Sequence, residues 1–201
     1  YVPFDEMPYL YNPPEGYIST ANNRTIGNEF PYYISGLWAD PSRSSRIKEV
    51  LEEEKKVGLE DMKALQLDLT SNYSKEILPF ILKNAGSYQS PIFQRAINFL
   101  KDWNHIESID SEGTLIFHSI SNEIIRNIYY DELSVLGDKY FETYIGLKYI
   151  TKRNLRRILM SHTNKWVDDI RTPNKIETID EIITKSIDRG IQKVVDSYGP
   201  N

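Results

Sequence analysis

Two adjacent amides, Asn22 and Asn23, close a turn-punctuated segment that reads Asn12-Pro13-Pro14-Glu15-Gly16-Tyr17-Ile18-Ser19-Thr20-Ala21. Two arginines follow in Arg43-Ser44-Ser45-Arg46-Ile47, where a helix is expected to open. A side-chain amide is a neutral donor. Held rigidly in a dry cleft, it stabilises the oxyanion of an acyl-transfer transition state, and loss of one such donor costs on the order of 3 kcal/mol. Arginines at the positive end of a helix dipole are electrostatically misplaced, which argues for a further reason to be there. The same residues have a plainer use as well. Asn tolerates the left-handed angles of a turn, and arginines at a helix start are ordinarily solvated.

Other chemistry finds little support. The histidines His105, His118 and His162 lie far apart, without a carboxylate or second histidine at metal-ligand spacing. His118, between Phe117 and Ile120, reads as a packed residue. No serine elbow or ordered histidine and aspartate suggests a Ser-His-Asp triad. Asp168-Asp169, after Trp166, have the charge to hold a cation, but Arg171 beside them points to a local ion pair of small worth. Glu52-Glu53-Glu54-Lys55-Lys56 reads as the solvated face of a helix end. No glycine-rich loop suits a phosphate. Cysteine is absent, which removes disulfides, thiolate nucleophiles and cysteine metal sites. A formal charge of −5 gives no general attraction to nucleic acid or anionic lipid. No apolar run approaches the ~20 residues of a membrane span.

The elements that must position these residues are of two kinds. At 201 residues the chain has room for one domain or two small ones. Residues 1–41 hold six of the ten prolines and much of the aromatic content, so short strands and turns are expected. Residues 16–21 are the strand candidate, entered through Pro13-Pro14-Glu15-Gly16. From residue 42 the rhythm turns helical. Ser42-Arg43-Ser44-Ser45 offers a cap, and Ile47, Val50 and Leu51 share a face as far as Gly58. Further helices are expected over 59–69, over 71–84 with a break or kink near Pro79, and over 91–103 with Pro91 in the first turn. Another spans 114–133, with Phe117, Ile120, Ile124 and Ile128 in one stripe, and a short one spans 155–160. The last opens with a capping box, Thr178 and Glu181, and buries Ile179, Ile182, Ile183, Ile187, Ile191, Val194 and Val195 before Gly199-Pro200 stops it. The expected class is mainly α: a helical domain, 42–201, behind a short β-rich leader, 1–41.

Taken in order, these motifs resemble the penicillin acylase family of N-terminal-nucleophile amide hydrolases. Asn12-Pro13-x-x-Gly16 and Gly16-x-Ile18-x-x-x-Asn22-Asn23 are similar to the strand that carries the family's oxyanion asparagine. Pro31-Tyr32 and Trp38 resemble the connection that follows, and Arg43-x-x-Arg46-Ile47 the arginine-rich helix start. Asp61-Met62-x-x-x-Gln66-x-Asp68-x-x-Ser71, then Leu78-Pro79, resemble the next helical stretch. Leu100-Lys101-Asp102-Trp103 is similar to a Leu-x-x-Trp-Asp signature, here with the aspartate before the tryptophan. Trp166-Val167-Asp168-Asp169, followed by Thr172-Pro173, resembles a later element.

The resemblance implies a mechanism. A precursor cuts itself so that a serine becomes the first residue of the large subunit, and that hydroxyl attacks an amide carbonyl with its own α-amine as base. Asn22 matches the oxyanion asparagine and Arg43 the arginine that orients the site. The chain starts at Tyr1 and holds no match to the nucleophile strand, the calcium ligands or most of the acyl pocket. It is therefore read as an interior fragment of the large subunit, inactive alone: the edge of an αββα catalytic core plus the adjoining helical domain. Implied partners are a small N-acyl substrate and the remainder of the precursor, both the small subunit and the rest of the large one. No nucleic acid or membrane is expected, calcium belongs to the full-length protein, and export to the periplasm or beyond follows from the family. With the sheet missing, residues 1–35 would expose strand edges and aromatic rings, so rearrangement, disorder or self-association is expected there. The alternative is a non-catalytic helical interaction module in which Asn22 and Arg43 serve only as turn and cap.

Overall fold

From Ser42 the described chain is mainly helical as far as Tyr198. The computed structural model describes residues 1–53, 56–86, 88–161 and 165–200. Eight α-helices occur among them: α1 (Ser42–Glu53), α2 (Leu59–Gln66), α3 (Asn72–Asn84), α4 (Pro91–Asp102), α5 (Glu112–Val135), α6 (Asp138–Gly146), α7 (Lys148–Ser161) and α8 (Ile179–Tyr198). Short 3-10 turns lie at Phe4–Glu6 and Lys165–Val167. Two compact units result, Tyr1–Asp68 and Leu69–Asn201, and α1 and α2 fall in the first. No helix among the described residues is long and apolar enough to cross a membrane.

The second unit is built around α5, which packs on α8, α6 and α4. Its stripe of Phe117, Ile120, Ile124 and Ile128 is fully buried, facing Ile183, Ile187 and Ile191 among the core residues of α8. Val194 and Val195, closer to the helix end, are half-buried. Where the two helices meet, Gly190 replaces a side chain. A Cβ there would lie 2.7 Å from Ile120 Cα, closer than carbon atoms approach, and the Ser119 hydroxyl donates to the Gly190 carbonyl at 2.8 Å. The helix starts follow the expected chemistry. Ser71 and Ser111 accept from Ser74 N and Thr114 N, and Thr178 and Glu181 close a reciprocal capping box.

Three helices differ from expectation. Helix α3 is unbroken through Pro79, although that proline cannot donate to the carbonyl of residue 75. Helix α7 is more than twice the expected length because its buried face runs Thr151, Leu155, Ile158, Leu159. Thr151 is polar by type yet only 2% exposed, its hydroxyl donating to Lys148 O. Helix α6 was not expected at all. It buries only Phe141, too sparse a stripe to show in a pattern.

The first unit begins with the leader, and here the expected strand is corrected. Residues 16–21 join no ladder, and no β-strand occurs among the described residues. A strand exists only by pairing, and no segment pairs with residues 16–21 among the described residues. The turn before it does form. Gly16 N donates to Pro13 O at 3.0 Å, with Gly16 at φ 78°, where glycine alone is unstrained. Beyond it, Tyr17 Oη donates to Glu52 Oε1 at 2.5 Å, fastening the leader to α1. That bond pushes the Tyr17 phenol up to about 12. The rings of Phe4, Tyr9, Tyr11 and Tyr33 stay exposed.

Candidate functional site

Asn22 sits at φ 60°, a left-handed position that asparagine accepts more readily than most residues. Its main chain is pinned because Ala39 N donates to Asn22 O at 2.8 Å. The neighbouring amide is used up locally: Asn23 Oδ1 accepts from Ala21 N at 2.9 Å and Asn23 Nδ2 donates to Arg24 O at 3.0 Å. The two asparagines therefore differ in kind.

Arg43 lies in the first turn of α1 and reaches back across the turn. One terminal nitrogen donates to Asn22 Oδ1 at 2.7 Å and to Ala21 O at 2.9 Å. A guanidinium has donors only, so the Asn22 amide must turn its oxygen towards Arg43. The Nδ2 hydrogens are thereby aimed the other way, and they meet no acceptor among the described residues. Asn22 and Arg43 are both exposed. The result is a side-chain amide of fixed direction presenting two N–H groups outwards, with a cation behind its oxygen that polarises it further.

Arg46, named alongside Arg43 by the sequence, does something else. Its Nε donates to Asp68 Oδ2 at 2.7 Å and an Nη to Glu49 Oε2 at 3.3 Å. The bond to Asp68 raises its already high pKa. It is a half-buried brace between α1 and the end of α2. The cap of α1 also differs from expectation. Ser42 is already helical, and its N–H is accepted by Asp40 Oδ1 at 3.0 Å. Ser44 and Ser45 hydroxyls donate back to Pro41 O at 2.8 and 3.1 Å. Asp40 is only 6% exposed. Its signal in the sequence was Asp-Pro before a helix, a turn-initiating pair.

The remaining candidates serve the second unit. His105 Nδ1 shares a hydrogen with Ser74 Oγ at 2.9 Å, and burial, then Lys75, lowers its pKa. His118 Nε2 lies 3.3 Å from Glu107 Oε1, and this contact above all holds the Glu107 carboxyl down at about 2. His162, with Glu54 and Lys55 of the acidic-basic run, lies outside the described residues. Asp169 receives Arg171 through two bonds of 2.7 Å, chiefly responsible for lowering its pKa. Asp168 Oδ1 accepts from Glu177 N. These carboxylates are committed to a closed turn, and no group of three or more potential metal ligands occurs among the described residues.

Over 186 residues the chain is 25% identical to an acyl-homoserine lactone acylase, QuiP, of Pseudomonas fluorescens, covering 84% of this chain and 22% of that protein. The QuiP of Pseudomonas aeruginosa is 22% identical over 90% of this chain and 23% of its own length. A penicillin acylase 2 proenzyme from a Pseudomonas species is 34% identical over 71 residues, 35% of this chain and 9% of that protein. The chain thus spans less than a quarter of the length of each. The family described as Penicillin amidase matches residues 1–201, and the chain belongs to that family.

Proposed function

We propose that this chain is a segment of a larger N-acyl amide hydrolase, and that Asn22 supplies a donor to its oxyanion hole. The observation that carries the reading is the orientation of one amide. Arg43 takes the Asn22 oxygen, so Nδ2 points outwards and is free to bind a developing negative charge. An oxyanion hole needs donors already aimed before the reaction begins, because a fixed dipole costs no reorganisation in the transition state. The interaction-module alternative is not favoured: it gives no reason for a chain-wide match to amide hydrolases.

The roles divide by contact. Asn22 would touch the tetrahedral intermediate and is the catalytic residue in this segment. Arg43 acts through Asn22 and is a positioning residue, holding the amide by its oxygen and offsetting charge near the intermediate. The nucleophile comes from elsewhere in the complete protein, as an N-terminal serine activated by its own α-amine. The attack adds the serine oxygen to the carbonyl carbon, and collapse expels the amine once it gains a proton. Water then releases the acyl group and restores the serine.

The substrate is a secondary amide joining an acyl chain to an amine. Acyl-homoserine lactones suit the relatives that match most of this chain, and penicillins suit the one that matches 71 residues. Both bonds pose the same problem, an oxyanion on an amide carbonyl. The rest of the acylase would cover the exposed rings of the leader, and the compartment is outside the cytoplasm. The test is a panel of N-acyl amides, lactone amines and penicillins incubated with the complete protein, with the freed amine quantified. Release from at least one class is expected. No release across the panel by folded, processed protein would sink the reading.

A further inference from the structure

We infer that Asp40 is a positioning residue for the Asn22–Arg43 pair, an inference that rests on the oxyanion reading above. The two members of the pair come from separate stretches of chain, a turn at 21–23 and the first turn of α1. One short segment, residues 39–42, joins them. Ala39 N donates to Asn22 O at 2.8 Å, which fixes the main chain of the amide. One residue on, Asp40 accepts from Ser42 N at 3.0 Å, which fixes where α1 begins and hence where Arg43 projects. Asp40 is the hinge pin between these two contacts, and it is among the few charged residues that are almost wholly buried.

Charge points the same way. Helix α1 has no acidic residue in its first turn, yet it carries Arg43 there, against the helix dipole. A carboxylate at the start of the helix is on the side the dipole favours, though its bond to Ser42 N, which asparagine can also make, is what sets the helix start. The bond from Asp40 to the amide two residues on is an Asx turn, which asparagine also makes and serine makes more weakly. Without it the first turn can fray, and Arg43 loses its approach to Asn22. Small displacements of a positioned group cost rate steeply, up to 10²-fold for roughly 1 Å.

The experiment compares Asp40→Ala, Asp40→Ser and Asp40→Asn in the complete processed acylase, beside Asn22→Ala and the Asn22→Ala/Asp40→Ala double variant. Asp40→Ala is expected to lose roughly 10- to 100-fold in kcat with KM within about threefold. Asp40→Ser should fall between, and Asp40→Asn should recover most of the rate. The double variant should be no slower than Asn22→Ala, since Asp40 acts through that amide. Should Asp40→Ala fail to fold, the Asp40→Ser and Asp40→Asn pair carries the comparison. Full kcat in a folded Asp40→Ala or Asp40→Ser protein, or a lowered melting temperature as the sole change, overturns the inference. Additive losses in the double variant overturn it too. Normal turnover by Asn22→Ala would instead remove the oxyanion reading itself, so the two failures are distinct.

Discussion

Asn22→Ala is expected to lower kcat of the complete acylase by roughly 10²- to 10³-fold, about 3–4 kcal/mol of transition-state stabilisation. KM should change little, because the amide meets charge that exists only after attack begins. The variant should still fold. The Asn22 side chain is exposed, and its main-chain bond from Ala39 survives the substitution. Alanine at φ 60° adds strain of roughly 1–2 kcal/mol, a modest loss for a whole protein. Asn22→Asp separates the two effects. Aspartate keeps the shape, tolerates the backbone angle and retains an oxygen for Arg43, but presents a carboxylate where two donors stood. It should be as stable as the parent and at least as slow as Asn22→Ala. Steady-state kinetics beside a melting curve checks both, and an active Asn22→Asp enzyme would show that this amide donates nothing.

The second large effect concerns the core. Gly190→Val should destabilise the protein by roughly 3 kcal/mol or more, the upper part of the overpacking range. The first atom added would already lie 2.7 Å from Ile120 Cα and 2.8 Å from Ile120 N. Those are backbone atoms in the middle of α5, so no rotamer change relieves the contact. The helices must separate, and separation opens the layer formed by Ile120, Ile187 and Ile191. It also strains the bond from Ser119 to the Gly190 carbonyl. Substitution of glycine within a helix ordinarily adds stability of a few tenths to about 1 kcal/mol through propensity, so the close approach must win by a wide margin. Chemical denaturation of the purified variant tests this. An unchanged midpoint would mean that α5 and α8 do not pack as closely as described.

What the sequence made legible follows from how each signal arises. Helices α4, α5 and α8 were visible because an apolar stripe at helical spacing records burial directly: Ala96, Ile97 and Leu100 in α4, and the isoleucines of α8, are buried as their spacing demands. The capping box at Thr178 was readable for a similar reason, since both partners lie within one turn. Local codes survive translation into structure. Codes that need a distant partner do not. Residues 16–21 have β-prone composition, but pairing is a property of two segments, and no partner segment stands beside them among the described residues. The length of α7 was hidden because Thr151 satisfies its hydroxyl within its own turn and packs as an apolar residue would.

The candidate site divides similarly. Asn22 and Arg43 were paired by resemblance to a family before the structure brought them to 2.7 Å. Composition alone gave equal standing to Asn23 and Arg46, and geometry separates them. Asn23 turns its amide into its own loop, and Arg46 is spent on Asp68. Asp40 went unnoticed because nothing in its type distinguishes a buried turn-former from an exposed one. Ala39 and Ser44 near it are buried as well, in a stretch with no apolar periodicity to read.

The most direct test of the oxyanion assignment is a crystal structure of the complete processed acylase with a boronic acid on its nucleophile, mimicking the tetrahedral intermediate. The expected result is Asn22 Nδ2 at about 2.7–3.1 Å from the boronate oxygen that stands for the oxyanion, with Arg43 still holding Asn22 Oδ1. An Asn22 amide turned to solvent, or a boronate oxygen bound entirely by other donors, would contradict the account.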